Sequence, residues 1–481
     1  MKKNFLIFLI LISIQNSYGQ VSQKYSAEQV KQDFKYLYST LEESHYNLFV
    51  NTPKEKYDKE YRKIYNSIKD SLNILEVYRI FQPFAALSKL GHCYCDNSLV
   101  GDVYGDYLGK GGTLFPINIT VNNNKMMVVD DYSDVKGTTK GDELVSINGK
   151  PSKSILDYIY SLLSGEDNYY INTRIDLFTF PRLYWLMNGS CDSFSIQIRN
   201  QKNELIHLKI SAINAGKYED LQAGKKQIFN SGRKFKLIDD IAYIQPGPFL
   251  NTNGDDNLAN VKSFEKGEFL AFIDSAFAAI HKAKSKYLII DIRDNIGGSS
   301  TFSDEMLAYI ADKPYKFCSK FSVKTSEITK EYWKQVDDTS LNYLKTPILN
   351  VPNGKTFNVA VPEHDFRKDS LRFRGKVYVL INRYSYSQAT DVAAQVQDYK
   401  FGVLVGEKTS DLTSNYGATH QFELPNTKMA VIYPKAFIIR PDGDTRFEGV
   451  TPDIPVKDNI FTDKDEILDY TLDLIKKENK Q

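Results

Sequence analysis

Two serines, Ser385 and Ser387, stand where the apolar run VYVLIN gives way to the helical stretch QATDVAAQVQDY. A serine at a strand-to-helix turn exposes its hydroxyl, and the first turn of the helix can supply backbone N–H groups to an oxyanion. Such a turn is suited to a nucleophile of acyl transfer, provided some group takes the proton. A second feature fits the same chemistry. The run YLIIDIRDN ends in Gly297-Gly298, and paired glycines allow positive φ and a close backbone approach, so that their N–H groups can face a carbonyl oxygen. Taken alone, this run reads as a core strand followed by a plain tight turn, with Asp291 and Arg293 satisfying each other; the serine turn is what changes that reading.

The elements that must position these residues follow from the hydrophobic pattern. Strand-like runs IAYIQPGPF, YLIIDI, VYVLIN and FGVLVGE alternate with helical stretches such as FLAFIDSAFAAIHKA. Continuous apolar strands separated by helices predict a buried, mostly parallel sheet with helices on its faces. This α/β core is expected over residues 216–481. Upstream, Ser26-Ala27-Glu28-Gln29 is a capping box, and Val30, Phe34, Leu37, Tyr38 and Leu41 recur at helical spacing. A helical domain is expected over 20–105. Between the two, short apolar runs separated by turn residues, including GDELVSINGK, predict a β-rich module over 106–215.

Composition narrows the class. A formal charge of +1, from 61 basic and 60 acidic residues, gives no electrostatic footprint for nucleic acid or an anionic membrane. Residues 1–19 read as a secretory signal: Lys2 and Lys3, the apolar run FLIFLILISI, and Ser17-Tyr18-Gly19 as a cleavage site. About ten apolar residues are too few to span a bilayer. The mature chain is therefore expected to be exported, to the periplasm or the extracellular space, with no transmembrane segment. Four cysteines cannot form a disulfide framework for a chain of 481 residues, and Cys93-x-Cys95 lacks the spacing of a zinc site.

Three motifs together carry a resemblance. Asp291-Ile292-Arg293-Asp294-Asn295-Ile296-Gly297-Gly298, Asn382-Arg383-Tyr384-Ser385-Tyr386-Ser387 and Gly406-Glu407-Lys408-Thr409 stand in the order and structural context of the S41 serine peptidases. That family includes the C-terminal processing proteases and the tricorn-type core. The resemblance implies a multidomain α+β fold: an N-terminal helical domain, a PDZ-like module around Gly141-Asp142-Glu143-Leu144-Val145-Ser146-Ile147-Asn148-Gly149, and a ClpP/crotonase-like peptidase core. It places the nucleophile on Ser387, with Ser385 as a turn residue. The Gly297, Gly298 and Gln388 N–H groups become the oxyanion donors.

The position of the processing proteases' lysine base is taken here by Leu412, which cannot accept a proton. The tricorn-type branch uses a histidine in a Gly-His element instead, and Gly91-His92-Cys93 matches it. Glu448, just before Gly449-Val450-Thr451-Pro452-Asp453, is the acid expected to orient His92, and Asp453 is expected to be a turn residue. The resemblance implies an exported serine endopeptidase acting on peptide or protein without a cofactor or metal. It leaves the oligomeric state open. Its alternative is a peptide-binding protein that keeps the fold and has lost the chemistry.

Overall fold

The computed structural model describes residues 23–225, 228, 232–251, 266–336, 342–462 and 464–479. The expected signal segment, residues 1–19, lies outside the described residues.

The sheet that carries the serine turn has six strands in the order Lys234–Ile238, Ile241–Gln245, Tyr287–Asp291, Lys376–Ile381, Val403–Gly406 and Ile454–Pro455. The first pair is antiparallel and every later pair is parallel. The apolar runs are buried on both faces, as a parallel sheet requires. Leu288, Ile290, Val379, Ile381 and Leu404 pack under the helices Gly267–Ala283, Ser300–Leu307 and Gln388–Tyr399. The alternate residues Ile289, Tyr378, Leu380 and Val405 meet Ile467 and Ile475 of the C-terminal helix Glu466–Glu478.

The β-rich region forms an antiparallel sheet in the order Leu205–Ser211, Ser193–Arg199, Glu143–Ile147, Lys125–Asp131 and Ile117–Asn122, with Lys150–Pro151 paired beside Glu143–Ile147. Three helices, Ser152–Leu162, Asn168–Phe178 and Phe180–Asn188, separate its strands. At the N-terminus the capping box forms as the spacing predicts: the Gln29 N–H donates to Ser26 Oγ at 3.3 Å and the Ser26 N–H to Gln29 Oε1 at 2.9 Å.

A further antiparallel sheet has no counterpart in the sequence reading. In its long hairpin, Asn415–Glu423 and Ala430–Ile439, the second strand pairs along its outer edge with Lys320–Lys324 and, further back, with the two-residue strand Tyr94–Cys95. Asp33 of the first helix accepts the Asn426 N–H at 2.8 Å and the Thr427 N–H at 2.8 Å. One apolar core therefore runs from Phe34 and Phe84 through Ile119 and Ile196 to Val431 and Tyr433. All four cysteines are free thiols. Among the described residues no helix is long and apolar enough to cross a membrane, and no cluster of three or more His, Cys, Asp or Glu could hold a metal.

Candidate active site

Ser387 ends the turn after strand Lys376–Ile381 and precedes helix Gln388–Tyr399. Its backbone sits at φ 53° and ψ −124°, a conformation that disfavours any residue with a Cβ, by an order of 1–3 kcal/mol. Its side chain makes no capping hydrogen bond, so the hydroxyl is not spent on the helix terminus. Ser385 holds the turn in shape: its hydroxyl donates to Ile292 O at 2.8 Å and accepts the Asn382 N–H at 3.1 Å. It is the turn residue and Ser387 the presented one.

The glycine loop lies directly against this turn. The Tyr386 N–H donates to Asn295 O at 2.9 Å. A Cβ on Gly297, at φ +94°, would fall 2.6 Å from both the Gln388 nitrogen and Tyr386 O. The Gly297 N–H already donates to Asn295 Oδ1 at 2.8 Å, because Asn295 is locked by its own bond to Gly247 O, and so it cannot serve an oxyanion. The Gly298 and Gln388 N–H groups have no partner among the described residues, and Gly298, at φ +135°, is exposed. These two form the available pair. Asp291 and Arg293 do pair, with Arg293 Nε donating to Asp291 Oδ1 at 3.0 Å, and Asp465 completes the set at 2.6 Å.

His92 is brought to the same place from the far end of the chain. The strand Tyr94–Cys95 is pinned to Val431 and Ile432, and the Ser164 hydroxyl donates to Cys93 O at 2.6 Å. The Gly91 N–H donates to Glu166 Oε1 at 2.9 Å. Gly91 rests on the Tyr170 ring so closely that a Cβ there would meet it at 2.5 Å. The Tyr170 hydroxyl lies 3.0 Å from that of Tyr386, the residue before the serine. His92 Nδ1 is buried without a hydrogen-bond partner among the described residues. Burial pulls the imidazole below its ordinary value of 6.5; the Asp411 carboxylate opposes that shift and the Arg174 guanidinium adds to it.

Asp411 links the two halves. Its Oδ2 accepts the Ser387 N–H at 2.7 Å and its Oδ1 the Leu412 N–H at 2.9 Å. It is 2% exposed. Leu412 beside it is buried, as an apolar replacement of a lysine must be. Glu448 is not brought to His92. Its segment is clamped by backbone, with the Val450 N–H donating to Thr409 Oγ1 at 2.8 Å and the Thr409 N–H to Val450 O at 3.1 Å. That clamp leaves the Glu448 carboxylate half-exposed, 4.0 Å from Arg446. Asp411 is the carboxylate whose charge opposes the burial shift of the imidazole. Asp453 is the turn residue expected, accepting the Leu404 N–H at 2.8 Å.

The sequence reading missed Asp411, Glu166, Tyr170, Arg174 and Tyr386. Asp411 had a signal, an acid directly before the residue that replaces the lysine. Tyr170 and Arg174, four apart on the helix Asn168–Phe178, share a face, but nothing local says that this face meets the serine turn. Burial raises the Glu166 carboxyl to about 7 and also lifts that of Asp391, in the first turn after Ser387, well above its usual range.

Residues 259–456 match the model of Peptidase family S41. The structure of mature CPAF complexed with lactacystin is similar over 95% of this chain and 98% of that one, with a TM-score of 0.61 at 13% identity. Mature CPAF alone gives 0.59 at 14% identity, over 94% and 97%. At such identities the likeness is one of fold. No curated protein matches the chain.

Proposed function

The chain belongs to peptidase family S41 through its residues 259–456, and from that premise we propose that it is an exported serine endopeptidase with Ser387 as nucleophile and His92 as general base. The observation that carries the reading is the serine turn itself. Ser387 is held at positive φ with an uncommitted hydroxyl, beside two unclaimed N–H groups from Gly298 and Gln388.

In this mechanism Ser387 Oγ attacks the peptide carbonyl while His92 takes its proton. The negative charge that develops on the carbonyl oxygen is received by the Gly298 and Gln388 N–H groups. His92 returns the proton to the departing amine, and water then releases the acyl group by the same steps in reverse roles. Asp411 keeps a negative charge near the imidazole as it becomes imidazolium and fixes the serine backbone through its bond to the Ser387 N–H. The antiparallel sheet of residues 117–211 supports a further reading as a PDZ-like module, whose edge would add an extended peptide as a strand.

One observation favours the catalytically silent alternative: His92 Nδ1 has no partner among the described residues, where no hydrogen bond selects the tautomer that a base requires. Labelling by a peptidyl phosphonate decides between them. The peptidase reading expects covalent modification of Ser387 and cleavage of unfolded protein, both lost in Ser387→Ala. Cleavage that survives Ser387→Ala, or peptide binding with no labelling at all, overturns it.

A further inference from the structure

The helix Asn168–Phe178 docks on the serine turn through two arginine contacts of opposite character. Arg383, on the turn, finds a carboxylate: its NH1 lies 3.2 Å from Asp176 Oδ2, which also accepts the Tyr384 hydroxyl at 2.9 Å. Arg174, two residues before Asp176 on that same helix, finds none among the described residues.

Only one of its terminal nitrogens, NH2, is engaged, donating to the Tyr170 and Tyr386 hydroxyls at 2.8 Å each. The guanidinium carbon stacks 5.2 Å and 4.9 Å from the centres of the same two rings. Phenol oxygens and ring faces hold the group in place without neutralising it. Its Nε and NH1 groups have no partner among the described residues, and part of the side chain remains open to solvent. A guanidinium fixed by a tyrosine pair, with its remaining N–H groups free, is pre-organised for a planar bidentate anion. Its place is set by Tyr386, the residue before the nucleophile, and its charge is felt at His92.

We propose that Arg174 is a specificity residue of the peptide site, binding a carboxylate of the substrate within a residue or two of the scissile bond. The carboxylate belongs either to an Asp or Glu side chain or to the substrate's own C-terminus. The inference rests on the peptidase reading for the word substrate, but not for the binding itself. An anion seated there also offsets the positive charge that Arg174 places near the base, so the correct substrate leaves His92 a stronger proton acceptor than a neutral one does.

Four fluorogenic peptides test it, identical except for Glu or Gln beside the scissile bond and a free or amidated C-terminus. The wild-type enzyme is expected to favour a carboxylate-bearing member over its neutral twin by roughly 10- to 100-fold in kcat/KM. Whichever pair shows the preference identifies the source. In Arg174→Gln the ratio should collapse toward one, and Arg174→Lys, which keeps the charge and loses the fork, should retain part of it. Equal rates for acidic and neutral peptides in the wild-type protein, or a preference undiminished in a folded Arg174→Gln, overturn the proposal. Fluorescence anisotropy of the same peptides on Ser387→Ala reads the preference as affinity. If no peptide is cut by the wild-type protein, the peptidase reading fails while this measurement still decides for or against the carboxylate site.

Discussion

With His92 as the proposed base, its surroundings give the sign of the pH behaviour. Only neutral imidazole accepts the serine proton, and burial holds this imidazole below 6.5. The acidic limb of kcat/KM should therefore lie below pH 6.5, with activity fully developed at neutrality; a limb above 7 would point to another base. Asp411 acts in the opposite direction to burial. Asp411→Asn should move the limb to still lower pH while reducing turnover by about 10²- to 10⁴-fold, the range expected when the acid of a triad is lost. Glu448→Gln, whose carboxylate meets solvent and Arg446, should change kcat by no more than a few-fold. Steady-state kinetics on the two variants separate the acid that the motif suggested from the one the fold supplies. The serine turn was legible because strand, turn and helix are contiguous in sequence. The place of Asp411 was not, because the clamping of a loop far from the histidine in sequence decides which carboxylate stands near the imidazole.

The glycine loop and the serine turn act as one element, since each is tied to the other by backbone. Gly298 shows how little room there is: a Cβ would lie 2.2 Å from Phe249 O, a backbone atom that cannot swing aside, at a φ of +135° that non-glycine residues avoid. Gly298→Ala should displace the loop and cost about 10²- to 10³-fold in kcat, as loss of an oxyanion donor does. The fall should come with a lower Tm in differential scanning calorimetry. An unchanged kcat would remove Gly298 from the donor pair. The parallel sheet could be read from its apolar runs because burial on both faces leaves no alternation to misread. The hairpin Asn415–Ile439 escaped because its first strand reads NYGATHQFE, polar and aromatic residues that become a strand only through their pairing partners. Helix Asn168–Phe178 likewise has weak local character and gains its place by docking.

At the scale of the whole molecule, the site joins regions that share one core, and its buried carboxyl groups tie stability to pH. Glu166, which holds Gly91 and with it the base loop, has its carboxyl raised to about 7 from 4.5. Because the folded state prefers the protonated acid, this stabilisation is complete below about pH 4.5 and fades as pH rises to about 7, a swing on the order of 3 kcal/mol. Chemical denaturation followed across that window should show the wild-type protein losing stability relative to Glu166→Gln. Parallel curves would mean that Glu166 ionises freely.

The two-residue strand Tyr94–Cys95, which fixes His92, completes its pairing only with Val431 and Ile432. As the chain is delivered N-terminus first, more than three hundred residues must follow before that pairing exists, roughly 20 to 70 s at ordinary rates of synthesis. Ser387 emerges within that interval, ahead of the strand that pins the base loop. Until that strand arrives, the nascent chain carries a hydroxyl and no assembled base. A protease built on this plan is silent while it is being made, so that an unfinished copy cannot cut itself.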